Sequence, residues 1–253
     1  MLETKHLTIR FGGHVAVDHV SCAFAPGSLT AIVGPNGAGK TTYFNLISGQ
    51  LPASEGQVLL NGQDLTRMSV SARTHLGIGR AFQLTQLFPR LNVLENVRLA
   101  VQSRRKQGLN WWSVWLDHKD VLEQARALLD QVRLGDKAEA QASSLAHGDQ
   151  RKLEVAILMA LDPLVYMFDE PTAGMSVDEV PVVLDLIRAL KDRKDRTILL
   201  VEHKMDVVRE LADRIIVLHN GKLMADGLPE DVIASSVVQN AYLGVMSDEE
   251  AAV

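Results

Sequence analysis

Gly34-Pro35-Asn36-Gly37-Ala38-Gly39-Lys40-Thr41 follows the spacing G-x-x-x-x-G-K-[ST], which suits a loop that wraps the phosphates of a nucleotide. Glycines let backbone N–H groups crowd around an anion and allow turns that a Cβ would obstruct. Lys40 can reach the β- and γ-phosphates, and the Thr41 hydroxyl, with Thr42 behind it, stands where Mg²⁺ is held. Asn36, Gly37, Ala38 and Gly39 supply the loop between.

A second group of residues fits the same chemistry. The apolar run Leu164-Val165-Tyr166-Met167-Phe168 ends in Asp169-Glu170. Ligands of an α/β sheet sit beyond the carboxyl ends of its strands. Asp169 is therefore placed to hold Mg²⁺, directly or through water. Strand alternation turns Glu170 the other way, free to orient and polarise an attacking water. His203 follows another apolar run, Ile198 to Val201, and can support that water. By itself each of these could be a solvated strand end; beside a phosphate loop they read together as hydrolysis.

These groups need elements to carry them. Ser28 to Val33 reads as a strand entering the loop, and Thr41 to Ile47 as a helix whose N-terminus favours anions. Leu2 to Phe11 and Val15 to Phe24 are further strands, and Val58 to Leu60 before Asn61-Gly62 signals a hairpin. Helical spacing runs through Leu91 to Val101, Val121 to Val132 and Gln150 to Leu161. Strand pattern returns at Leu164 to Phe168, Thr197 to Val201 and Arg214 to Leu218, with helical stretches between, as parallel strands with crossovers require. The expected fold is α/β: a P-loop ATPase core with an antiparallel β subdomain and an inserted α-helical subdomain at about residues 87–160. The last residues, 245–253, form an acidic tail expected to be frayed.

Composition narrows the function. The chain has 253 residues, 47% hydrophobic and 23% charged, with a formal net charge of −5. Such a charge argues against a broad nucleic-acid footprint. The single cysteine, Cys22, excludes an internal disulfide and suits a reducing compartment. No apolar run reaches the roughly 18 residues of a membrane span, and Met1 to Lys5 lacks a signal-peptide pattern. The expectation is a cytosolic protein able to dock on a membrane protein.

Leu145-Ala146-His147-Gly148-Asp149-Gln150-Arg151 precedes a helix, and with it the chain resembles the ATP-binding subunits of ABC transporters. Gly34 to Thr41 resembles the Walker A loop, Gln83 in Arg80-Ala81-Phe82-Gln83 the Q-loop, and Leu145 to Asp149 the signature L-S-G-G-Q. Phe168 to Thr172 resembles Walker B, Ala173 to Asp178 the D-loop, and His203 the switch histidine. The resemblance covers residues 1 to about 244. It implies a head-to-tail pair of ATPase subunits with two ATP molecules between them, each touching one subunit's Walker A and the other's signature. It also implies that Gln83 touches Mg²⁺ and water, that Phe11 stacks on adenine, and that Val17 pads the same ring. Phe11 before Gly12-Gly13 also fits a core residue at a turn. Ala146 and His147 depart from the signature, removing a hydroxyl that would bond the γ-phosphate; a weakened contact and a degenerate composite site are both open.

Within the family, Phe11 to Asp18, Ala81 to Leu84, Leu91 to Val97, Gly148 to Glu154 and Ala241 to Gly244 resemble the branched-chain amino acid importers. The match is nearest to the larger of that system's two ATPases; urea and short-amide importers share much of the pattern. The resemblance implies permease partners, a paralogous second ATPase, an indirect periplasmic or extracellular solute-binding protein, and a place on the cytoplasmic face of the inner membrane. A regulatory subunit that binds nucleotide without hydrolysis, and a soluble ABC ATPase acting on DNA or ribosomes, are the rivals. Trp111, Trp112 and Trp115 fit either packing of an inserted helix or a permease contact.

Overall fold

The computed structural model describes residues 1–81, 87–105, 119–235 and 238. Gln83, Trp111, Trp112, Trp115 and the C-terminal segment from 239, with the tail 245–253, lie outside the described residues.

The described chain divides into two compact units, one of residues 1–78, 164–170 and 191 onward, the other of 79–163 and 171–190. The expected insertion at about 87–160 falls within the first stretch of the second unit.

The first unit holds an antiparallel sheet of β1 (Leu2–Phe11), β2 (His14–Phe24), β4 (Glu55–Leu60) and β5 (Gln63–Asp64), in the order β2-β1-β4-β5. β1 pairs with β2 from Leu2 opposite Phe24 to Phe11 opposite His14. A second sheet contains β3 (Leu29–Val33), β6 (Ile78–Ala81), β7 (Val165–Asp169), β8 (Thr197–Val201), β9 (Arg214–His219) and β10 (Lys222–Gly227), in the order β10-β9-β3-β8-β7-β6. β3, β7 and β8 are buried along their whole length, as parallel strands covered on both faces must be. Ile32 is level with Val201 and Asp169 is level with Val201, both in parallel register. Three chain ends, before Gly34, Glu170 and Glu202, thus emerge at one edge of the sheet.

The helix α1 (Lys40–Ser48) follows β3. Its inner residues Tyr43, Phe44, Leu46 and Ile47 join Leu2, Leu7, Phe24, Ile32, Met167, Leu199 and Ile216 in the main core of the unit. Each such buried side chain contributes about 1.5–3 kcal/mol. Cys22 lies in the same core as a free thiol, its pKa pushed up by burial. A short helix α2 (Val70–His75) is opened by Ser69, whose hydroxyl accepts from Ala72 N. α7 (Met205–Leu211) and α8 (Pro229–Ala234) follow later, and Val208 and Val232 cover the other face of β3 and β9.

The second unit is built on α3 (Val93–Arg104), α4 (Lys119–Gln131) and α5 (His147–Leu161), with α3 packed on both others. Asn92 starts α3 by accepting from Glu95 N at 2.7 Å. α6 (Val180–Asp192) begins in this unit and its last two residues belong to the first. No helix among the described residues is long and apolar enough to cross a membrane.

Candidate functional site

The phosphate loop is shaped by its backbone. Gly39 has φ 99° and closes the loop as the N-cap of α1. A Cβ there would lie 2.5 Å from Ala16 O, and one on Gly34 2.1 Å from Leu218 O, so glycine is required at both. The first N–H groups of α1 have no partner within the helix and face the loop, a ready anion site. Asn36 and Gly37 are exposed at its rim, while Ala38 is buried beneath.

Lys40 is 6% exposed, and its ammonium donates to Gly34 O at 2.6 Å and Pro35 O at 3.0 Å. It therefore folds across the loop that a phosphate would enter. Burial lowers its proton affinity, and the nearby carboxylates of Glu170 and Asp169 oppose that shift. Thr41 and Thr42 are half-buried in the first turn.

Asp169 closes β7 and is 6% exposed. Glu170 does not continue the strand. Its φ is +52°, and its N–H donates to Val201 O at 2.9 Å. Strand alternation thus does not set its direction; a left-handed residue does. That turn carries the carboxylate to His203, whose Nε2 lies 2.9 Å from Glu170 Oε1. Both side chains are about two-fifths exposed, at 41% and 43%, open to water and substrate.

Phe11 is half exposed at the end of β1, which removes its reading as a core residue and leaves a ring face for a ligand. Val17 corrects the expectation. It is fully buried among Ile9, Leu218 and their neighbours, so it has no surface to lay against an adenine ring. Its place in the alternation of β2 turns it into the core.

In the second unit Ala146 is the N-cap of α5 and offers no side-chain hydrogen bond. Ala146 and His147 are exposed, and Gly148 is buried against the Glu179 carboxylate. Asp149 is a second correction. It is 5% exposed, and its carboxylate is taken by Lys137 at 2.5 Å and Lys152 at 3.0 Å. A group so engaged does not face a nucleotide. Desolvation raises its pKa, yet hydrogen bonds from Lys137 and Lys152 outweigh it and hold the carboxyl below its ordinary range.

The ABC transporter family matches residues 17–173. The chain is 37% identical over 249 residues to the high-affinity branched-chain amino acid transport ATP-binding protein LivG of Escherichia coli K12, covering 96% of this chain and 98% of that one. The corresponding protein BraF of Pseudomonas aeruginosa is 34% identical, with 96% and 98% covered. A crystal structure of the ADP conformation of an ATP-binding cassette of an ABC transporter superimposes with a TM-score of 0.80 at 28% identity, covering 96% of this chain and 98% of that one.

This chain belongs to the ABC transporter family. The cassette is an ATPase, with the mixed α/β fold of its solved relatives.

Sequence reasoning missed one link in the cassette. Lys152, on the signature helix, also approaches Glu179 Oε1 at 3.4 Å. Glu179 Oε2 in turn accepts from Ser176 N at 3.1 Å and Ser176 Oγ at 2.9 Å. The start of α5 and the segment after β7 are thereby joined through one lysine. Ser176-x-x-Glu179 is a capping-box spacing ahead of an apolar helix, a signal that could have placed Glu179.

Proposed function

We propose that this cassette is the ATP-binding subunit of an importer for branched-chain amino acids, peripheral to the cytoplasmic face of the membrane. The observation that carries the hydrolytic half is the contact of His203 with Glu170 beside the Lys40 loop. The cargo half is supported by relatives named for branched-chain amino acid transport that match nearly end to end.

In this reading Lys40 and the loop amides hold the β- and γ-phosphates, while Phe11 stacks on the base. Glu170 accepts the proton of an attacking water, and His203 holds the carboxylate and the γ-phosphate in line. Thr41 and Asp169 offer one hydroxyl and one buried carboxylate, a hard-oxygen set that fits Mg²⁺ completed by phosphate oxygens and water. Mg²⁺ would neutralise charge on the phosphates; Gln83 is assigned to it by resemblance alone.

Two cassettes pair head to tail, with a paralogue as the second. The N-terminus of α5, where Ala146 and His147 are exposed ahead of the buried Gly148, meets the partner's γ-phosphate. ATP favours the closed pair and hydrolysis releases it, which moves the permease subunits. A solute-binding protein delivers the cargo on the far side.

One observation favours a second reading, a regulatory subunit with a degenerate composite site: Ala146 caps α5 without any side-chain bond. Vesicles carrying the complete complex and its binding protein separate the readings. ATP-dependent uptake of leucine, isoleucine or valine is expected. Uptake of urea or short amides instead would replace the cargo assignment, and uptake that survives loss of this chain's Glu170 would favour the regulatory role.

A further inference from the structure

Among the described residues, the largest buried cation outside the phosphate loop is Arg73, 2% exposed. It stands on α2, more than 30 residues from the phosphate loop in sequence. Among the described residues no carboxylate hydrogen-bonds to it, and Asp64 acts on it only at longer range. Instead its Nη1 donates to Leu46 O and Ile47 O, both at 2.7 Å. Nη2 donates to Thr66 O at 2.8 Å, and Nε to Met68 O at 3.2 Å. Four carbonyls therefore engage one guanidinium, which has five N–H groups.

Leu46 and Ile47 lie in the last turn of α1, where carbonyls lack helical partners and the helix dipole is negative. The other end of this nine-residue helix is the phosphate loop, about 13 Å away at 1.5 Å per residue. Thr66 and Met68 follow β5 of the antiparallel sheet. The same sheet carries Phe11 on β1. Gly49, the left-handed C-cap of α1, is held glycine by this arginine, because a Cβ there would lie 2.7 Å from Arg73 Nε. A surface cavity of about 480 Å³ runs beside the arginine, but the guanidinium is spent on carbonyls and not aimed into it.

We propose that Arg73 is a positioning residue for ATP binding: it anchors the C-terminus of α1 to the antiparallel sheet, so that the phosphate-binding N-terminus and the adenine-stacking ring are held in one fixed relation. This rests on the assignment of the Gly34–Thr41 loop to the ATP phosphates. A cation at one end of a helix and an anion at the other favour each other through the same aligned peptides. Removal of the cation leaves the last carbonyls buried without donors and the helix free to shift. The cost then appears in nucleotide affinity.

Equilibrium ATP binding by the full chain tests this, with thermal unfolding measured alongside. Arg73→Gln should weaken ATP about tenfold while still folded at the assay temperature. Arg73→Lys, which keeps the charge with fewer donors, should weaken ATP by about threefold. In the reconstituted complex KM should rise more than kcat falls. A folded Arg73→Gln that binds ATP as the parent does would overturn the inference, provided that Lys40→Ala loses affinity in the same assay. Lys40→Ala with parent affinity would instead remove the loop assignment and the inference with it. Should Arg73→Gln fail to fold, Arg73→Lys decides alone: a threefold loss supports the role, and parent affinity overturns it.

Discussion

His203 Nε2 meets Glu170 Oε1 at 2.9 Å, although 33 residues separate them in the chain. The register of β7 and β8 brings their ends level, and the left-handed backbone at Glu170 closes the remaining gap. A carboxylate that must take a proton from water gains from being held in one orientation. His203→Ala should therefore lower the turnover of the assembled complex by about 10²-fold and leave ATP affinity within about threefold. Steady-state phosphate release and equilibrium binding measure the two quantities. Unchanged turnover would remove His203 from the hydrolytic site.

The absent cap on α5 supplies a gain-of-function prediction. Ala146 occupies the N-cap with extended backbone, φ −60° and ψ 157°. A serine hydroxyl there can accept from an N–H of the first turn. Ala146→Ser should raise stability by about 0.5–2 kcal/mol, read from denaturant or thermal unfolding. In the closed pair the same hydroxyl can donate to the partner's γ-phosphate, so phosphate release should also increase. A stabilised variant with lower turnover would argue that the alanine serves the complex as it stands.

Asp149 sets a pH dependence. Its folded-state pKa is held below the ordinary carboxylate value by Lys137 and Lys152 against the opposing effect of burial. A depressed carboxylate contributes stability above its unfolded pKa and loses it as pH falls through the folded value. Asp149→Asn should cost about 2 kcal/mol at neutral pH, the scale of hydrogen bonds to a charged group. The difference from the parent should persist down to about pH 4 and shrink below it. Unfolding curves at several pH values measure the trend. An equal difference at pH 7 and well below pH 4 would mean that packing, not charge, dominates.

Much of this architecture was legible because strong periodicity and turn chemistry agreed. β1 spans Leu2–Phe11, β3 ends at Val33, and β8 spans Thr197–Val201, each where the apolar pattern placed it. The phosphate loop was visible because glycine is required at fixed points by near backbone atoms. Other features depended on contacts distant in sequence. α2 is six residues long and carries little apolar spacing, so nothing local announced it. Helix α3 starts at Val93 after Asn92, two residues later than the apolar spacing suggested, because the side-chain cap at Asn92 decides the boundary. Asp149 seemed part of a ligand-facing signature, but two lysines turn it inward. Val17 belongs to the core face of β2. Arg73 had no sequence signal at all: its role exists only where α1, α2 and the segment after β5 meet.

Glu170→Gln tests the central claim most directly. The amide keeps the size of the side chain and one hydrogen-bonding oxygen but cannot take the proton of water. In the reconstituted complex this variant should bind ATP as tightly as the parent and release phosphate at least 10²-fold more slowly. Phosphate release at the parent rate would contradict the assignment of hydrolysis to this pair of residues.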